Sequence, residues 1–276
     1  MGTSEVRPPA VAGRFYPAKP ATLNRDLESY LGSAAPEIPK RVDNALGCVV
    51  PHAGFMYSGH VAGAVYRKLS RRPRYIIIGP NHFGRGAPLA IMSSGAWATP
   101  LGEVPVDHAL ASALRAAFPM LSDDPAAHAE EHSLEVQLPF LQHEVKDFRF
   151  VPVLVGVRGY EALELLGHCV AEVAGAASNE VMIIASSDMN HYESDSITRM
   201  KDGKAIERIL ALDPQGLHDV VRQEKISMCG CGPTVALLIA LKQLGARRAE
   251  LVKYATSGDV SGDRNAVVGY AGIIFS

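Results

Sequence analysis

The sequence predicts an α/β fold, single-domain over residues 1–276, with a mostly parallel central sheet flanked by helices. Three observations carry this. Short runs such as RYIIIG (74–79) and VMIIA (181–185) are apolar on both faces, as strands covered on both sides must be. Longer stretches of helical spacing alternate with them along the chain. Apolar residues at 47 % and charged residues at 20 % give enough surface to bury against the entropy of ordering.

Taken in order, Ala45–Val50 (ALGCVV) reads as a buried strand, and a helix begins near Tyr57 or Ser58 and runs to Leu69. Arg74–Gly79 and Pro88–Ser93 read as strands, and Thr99–Val106, which holds Pro100, Leu101 and Gly102, as an irregular excursion or a hairpin. Asp107–Phe118 and Glu130–Val145 read as helices, the second with Leu134, Leu138 and Leu141 at helical spacing and Pro139 as a kink or boundary. Phe148–Val155 is a strand, Tyr160–Ala174 a helix and Val181–Ala185 a strand. Helices follow at Lys201–Ala211, Pro214–Arg222 and Pro233–Leu244, the last with proline in its first turn, where no N–H is missed. Glu250–Ala255 and Ala266–Phe275 close the chain as strands.

Composition excludes several classes. The balance of 27 basic and 29 acidic residues offers no basic stripe for nucleic acid, and Arg71–Arg72–Pro73–Arg74 is a short solvated loop. No apolar run reaches the roughly 18 residues of a membrane span, and the N-terminus MGTSEVRPPAVAG lacks the layout of a signal peptide. Four cysteines in a chain of this length do not make a secreted disulfide framework, so a reducing cytoplasm is the expected location.

Three buried strands end in polar turns that carry histidine. They are VVPHAGFMYSGH with His52 and His60, IIIGPNHFG with His82, and IIASSDMNHYE with Asp188 and His191. Ligands of parallel α/β sheets bind beyond the carboxyl ends of the strands, so these turns converge if their strands are parallel. Imidazole is the commonest side-chain metal ligand and also titrates near neutrality, so the convergence points to a metal site or an acid–base site. Cys229 and Cys231, in SMCGCGP before a helix, add thiols with a spacing unlike structural zinc sites; a mixed His/Cys set fits better. In EEHSLEVQ, His132 and Glu135 share a face if the segment is helical, and Glu130 and Glu131 charge a helix N-terminus on the simplest reading. Cys48 and Cys169 read as core, Trp97 and Tyr57 as cleft wall, and His108, His128, His143, His168 and His218 as surface or structural residues.

The segments RPPAVAGRFYP, PHAGFMYSG, GPNHFG, EHSLEVQLPFLQ, SSDMNHY, CGCGP, and TSGDVSGD with VVGYAGI follow one another over nearly the whole chain. Together they resemble the Memo protein family, whose bacterial and archaeal members are also called AmmeMemoRadiSam system protein B. The resemblance implies a fold like that of class III extradiol dioxygenases, enzymes that hold non-haem Fe(II) through two histidines and a glutamate. It also implies that a cysteine takes the glutamate's place. On that basis the metal ligands are His52, His82 and Cys229, and the residues beside them are Asp188 and His191, with His132 and Glu135 in the EHS-x-E motif.

Replacing a carboxylate by thiolate keeps one negative charge and softens the ligand set, which favours Fe, Cu or Zn over Mg or Ca; the resemblance makes Fe(II) the expected ion, with Cu or Zn as alternatives. His191 would then act as a proton carrier and Asp188 as its charge partner, or Asp188 would orient a metal-bound histidine. Two functions are expected to compete. One is an iron- or copper-dependent redox enzyme on a small organic substrate; the other is a non-catalytic metal- or peptide-binding module that works with partner proteins. No G-x-S-x-G elbow or phosphate-binding loop supports a serine hydrolase or a nucleotide enzyme.

Overall fold

The computed structural model describes residues 5–32, 41–177 and 180–276. Residues 1–4, which open both the expected domain and the stretch read for a signal peptide, lie outside these, as do the other intervening residues of the expected domain. The chain begins with β1 (Val6–Arg7), α1 (Pro20–Leu31), β2 (Gly47–Val50), α2 (Phe55–Lys68) and β3 (Arg74–Pro80). It continues through β4 (Leu89–Ile91), β5 (Ala96–Thr99), β6 (Gly102–Pro105), α3 (His108–Ala117), β7 (Ser122–Asp123), α4 (Pro125–His128) and α5 (Leu138–Glu144). Then come β8 (Arg149–Val155), α6 (Tyr160–Ala176), β9 (Val181–Ser186), β10 (His191–Glu193), α7 (Asp195–Leu210) and α8 (Pro214–Gln223). The last are α9 (Cys231–Gln243), β11 (Ala249–Thr256), α10 (Gly258–Ser261) and β12 (Val267–Phe275).

Among the described residues the main sheet has the order β10-β12-β2-β9-β3-β8-β4-β7, with β11 also paired to β12. Its centre is parallel: β2 runs beside β9, β9 beside β3 and β3 beside β8, with Val50 opposite Ser186 and Ile78 opposite Ala185. The outer strands β12 and β11 pair antiparallel to their neighbours, and β4 runs antiparallel to β8 but parallel to β7. Alternation of side chains along these strands divides the core in two. Ile76, Ile78, Val151, Val153 and Ile183 pack on one face, while Tyr75, Ile77, Phe150, Met182 and Ile184 pack on the other. Both faces are covered, which is why the central strands are apolar throughout. The α/β class and the mostly parallel sheet expected from the sequence are therefore those observed.

α9 is the helix most enclosed by protein, with Pro233–Leu241 buried as an unbroken run. α6 lies directly against it at Gly167, where a Cβ would come within 2.8 Å of the Ala236 carbonyl oxygen. No helix among the described residues is long and apolar enough to cross a membrane.

Several local expectations are corrected. The stretch 130–145 is not one helix: an irregular turn precedes a 3-10 turn at Glu135–Gln137, and α5 starts only at Leu138 with Pro139 in its first turn. The physical cause is that Glu131 and Glu135 are both fully buried and reach distant partners, which a regular helix would point elsewhere. α1 was not anticipated, although Leu23, Leu27 and Leu31 at i, i+4 and i+8, Pro20 in the first turn and Gly32 at φ 64° mark it clearly. β5 and β6 form the hairpin foreseen as one alternative for residues 99–106. Trp97 does not wall a cleft; it is fully buried, with the Arg7 guanidinium 4.0 Å above its ring.

Candidate metal centre

The parallel strands β2, β3 and β9 deliver their following turns to the same end of the sheet. His52 lies two residues beyond β2, His82 two beyond β3, and Asp188 two beyond β9. A third imidazole, His132, comes from the irregular turn before Glu135. Ligating nitrogens of His52, His82 and His132 all lie within 4.8 Å of one another. The His82 and His132 rings stack with centroids 4.6 Å apart, and His52 stands edge-on to them at 5.1 and 5.5 Å. Phe15 packs against the His132 ring at 4.7 Å.

Hydrogen bonds fix which nitrogen each ring offers. The Ser186 hydroxyl donates its single proton to the Ser133 carbonyl at 2.6 Å. Its oxygen is left to accept, from Gln137 Nε2 at 2.9 Å and from His52 Nδ1 at 2.9 Å. The Gln137 amide is itself oriented, because its Oε1 accepts from the Tyr66 hydroxyl. His52 must therefore carry its proton on Nδ1, which leaves Nε2 as a lone pair. At His82, Nδ1 donates to Glu131 Oε1 at 2.9 Å while Glu131 Oε2 accepts the His82 backbone N–H at 2.8 Å, so Nε2 is the nitrogen turned to the site. Glu131 is buried, which raises its pKa, but the His82 bond and the Ser133 N–H outweigh that and hold the carboxyl down at about 2. A carboxylate behind an imidazole is the usual support of a metal-ligating histidine.

Burial pushes both His52 and His132 below the ordinary imidazole value, His132 to about 4, and the neighbouring rings add to this. Near neutral pH these rings are neutral bases with lone pairs aimed at a common volume. His52 is 1 % exposed, whereas 26 % of the His82 side chain remains open, so the site is a floor with access from one side.

Cys229 stands at the edge of this cluster, with Sγ 3.1 Å from His52 Nε2. Sγ also accepts from the Asp188 N–H at 3.3 Å. Burial and the Asp188 charge push its thiol well above the usual value, so without a cation it is a neutral S–H. A bound metal ion reverses that, since a coordinating thiol loses its proton. Gly230 makes the placement possible: a Cβ there would meet the Ser186 carbonyl oxygen at 2.5 Å. Cys231 is turned aside, its buried thiol pushed up to about 12, and no bond joins it to His52.

Asp188 Oδ1 accepts the His52 and Ala53 N–H groups at 2.7 and 3.3 Å, and burial raises its carboxyl. His191 Nδ1 donates to the Ser227 carbonyl at 2.9 Å. His191 is tied to the segment that carries Cys229, because its backbone N–H donates to Ser227 Oγ at 2.7 Å.

The structure thus places His52, His82, Cys229, Asp188 and His191 around one end of the sheet and adds His132. Glu135 does not join them. It turns away to Arg7 Nη1 at 2.6 Å, the Ala10 and Val11 N–H groups and the Tyr16 hydroxyl, so it and His132 share no face. Glu131, expected only to charge a helix end, is instead the support of His82. Ser186 belongs to the turn that carries Asp188, but Ser133 and Gln137 escaped sequence reading; their only signal was that Ser133, Glu135 and Gln137 alternate with the apolar Leu134 and Val136. His128, read as surface or structural, is buried under Trp97, and its Nδ1 donates to the Asp124 carbonyl.

Comparisons with known proteins agree with the arrangement of motifs. A family model described as "Memo-like protein" matches residues 7–274. A MEMO1 family protein of Methanopyrus kandleri is 45 % identical over 98 % of this chain and 98 % of its own length. One from Methanosarcina barkeri is 44 % identical over 98 % of this chain and 99 % of its own. Among solved structures, an uncharacterized protein of Escherichia coli K12, JW3007, superposes with a TM-score of 0.52 at 14 % identity. That match covers 83 % of this chain and 98 % of the other, and it speaks for the fold alone.

Proposed function

We propose that this chain, which belongs to the Memo-like protein family, binds one first-row transition-metal ion at the His52–His82 site and uses it in redox chemistry on a small organic substrate. One observation carries the reading: a candidate ligand nitrogen from each of His52, His82 and His132 lies within 4.8 Å of the others, and the first two rings are locked by a bond at Nδ1. His52 Nε2, His82 Nε2 and the Cys229 thiolate would hold the ion, with a His132 nitrogen within 4.8 Å of the two histidine ligands beside it. Imidazole with thiolate suits Fe, Cu or Zn and disfavours Mg or Ca; Fe(II) is the assignment made here.

When bound, such an ion supplies open positions for a substrate and O₂. The protein's own share is positional. Ser186 and Glu131 hold the two rings in one tautomer, and Asp188 pins the His52 backbone. His191 Nε2 accepts a proton from a substrate hydroxyl, with Asp188 to balance the imidazolium. The ligands come from positions 52 to 229, so residues 1–276 are proposed to act as one unit.

The test is anaerobic purification with metal analysis and O₂ uptake. About one Fe per chain, an Fe(II)–thiolate absorption band and O₂ consumption with an added aromatic diol support the proposal. A His52→Ala variant with unchanged metal content would overturn the site. Bound metal with no O₂ consumption by any organic additive would leave a metal-binding module in place of an enzyme.

A further inference from the structure

His82 and Cys229 form one end of a cleft of 890 Å³ that continues away from the metal centre between the β8–α6 loop and the α8–α9 loop. Its walls carry three charged side chains, Arg158, Arg222 and Lys225, and no carboxylate. The chain as a whole has slightly more acidic than basic residues, 29 against 27, so an all-cationic lining is a local departure. Ion pairs are common on the rest of the surface, yet among the described residues none of these three side chains makes one, nor a side-chain hydrogen bond.

A bland account covers part of this. Arg222 lies in the last turn of α8 and Lys225 just beyond it, where cations suit the negative end of the helix dipole. It does not reach Arg158, which stands on the opposite wall in the β8–α6 loop. Nor does it explain Lys225 at φ 52°, a left-handed position at which glycine would be the easier residue. The first turn of α9, thirteen residues long, borders the same cleft through Cys231 and Gly232, and its N-terminal dipole adds positive potential. Between the cations the walls are apolar, with Leu163, Val221 and Ile226.

A second hollow, of 960 Å³, lies at the opposite end of the strands, but there Arg74 is already paired with Asp107. That hollow also holds charges of both signs, with Glu103, Asp147 and Glu180 beside Lys146 and Arg149, whereas the charged side chains of the cleft beside His82 are all cationic.

We infer that the substrate of this site is an organic oxyanion, a carboxylate or phosphate ester, whose charged group is held by Arg158, Arg222 and Lys225 while its reacting end reaches the His82–Cys229 side. The inference rests on the proposed metal site for the orientation of the ligand, but not for its binding. Arginine meets carboxylate and phosphate oxygens two at a time, and lysine serves as a point charge.

The experiment titrates the full-length protein with benzoate, phenyl phosphate and neutral benzyl alcohol, followed by calorimetry and NMR shifts. It is run after chelator treatment and again after metal loading. Both oxyanions should bind the chelator-treated protein, more weakly at high salt, and benzyl alcohol should not. Arg158→Ala and Arg222→Ala should each weaken binding about threefold to tenfold. Lys225→Gly, which eases the backbone while it removes the charge, should do the same. The triple variant should lose binding and keep its metal content. Tighter phenyl phosphate assigns a phosphate ester, and tighter benzoate a carboxylate. Unchanged affinity in the triple variant, equal binding of benzyl alcohol, or oxyanion binding only after metal loading would each overturn the inference. Absence of any metal would sink the proposed function and leave this result standing.

Discussion

Two buried glutamates four residues apart, Glu135 and Glu131, end in opposite ways. Glu135 closes on itself: Arg7, two backbone N–H groups and the Tyr16 hydroxyl use up its oxygens, and Arg7 in turn donates to the His128 and Glu131 carbonyls. Glu131 takes three N–H bonds as well, but one of them passes its influence on to His82, whose other nitrogen faces open space with no protein partner. A buried charge that is fully answered within the protein is architecture. A buried charge that aims an unanswered lone pair outward is the mark of a site. The segment between them, Glu131–Glu135, serves both ends.

The largest test of this contrast is Glu135→Ala. It leaves the Arg7 guanidinium buried without its counter-charge, and such breaks cost about 3–5 kcal/mol. Urea denaturation should show that loss, while the folded fraction keeps its metal. Arg7→Met with Glu135→Leu should recover most of it, because matched apolar partners remove the uncompensated charge. Failure of the double variant to recover would mean that the ion pair holds the N-terminal arm in register, not merely neutral.

Acid comes next. His132 takes up its proton near pH 4 when folded and near 6.5 when unfolded. The unfolded chain therefore binds more protons between those values, and stability must fall as pH drops through them, by at most about 3 kcal/mol. Chelator-treated protein should show a urea midpoint that declines from pH 7 to pH 4.5, and His132→Phe should lessen the decline, the remainder coming from His52 and His128, which burial also holds below the ordinary imidazole value. A flat wild-type profile would show that the ring is charged already.

Glu131→Gln separates the two glutamates most directly. It should lower metal affinity about 10–100-fold, as loss of a supporting carboxylate does, in competition with a chromophoric chelator. Equal loss of stability and affinity would make Glu131 a second anchor. The smallest expected effect on metal content belongs to His191→Gln, which should stay near wild type while any turnover is lost. Metal loss in that variant would promote His191 to a ligand.

Much of this was legible from the sequence, and the limits have physical reasons. Buried strands such as Tyr75–Ile78 announce themselves because every side chain is apolar, and their ends locate His52, His82 and Asp188. α1 was missed where the Leu23–Leu27–Leu31 stripe is diluted by Asn24, Arg25 and Asp26, although its proline and glycine ends were plain. The segment 130–137 misled for a different reason. Leucines at helical spacing suggest regular structure, but the backbone bends to send Glu131 and His132 to His82 and Glu135 to Arg7, and only tertiary partners decide that. Nothing local distinguishes Glu131 as a support from Glu131 as a helix-end charge.

Gly230 carries a consequence for motion. With no Cβ, its loop sits directly on the 186–188 turn, and Gly230 N–H to Ser187 Oγ, Asp188 N–H to Cys229 Sγ and His191 N–H to Ser227 Oγ join the two segments along their length. The thiol therefore has no private hinge. Any opening that withdraws Cys229 must drag Asp188 and His191 with it, so amide exchange in 227–230 and in 187–191 should rise and fall as one cooperative unit, while His82, on its own strand, keeps a separate clock.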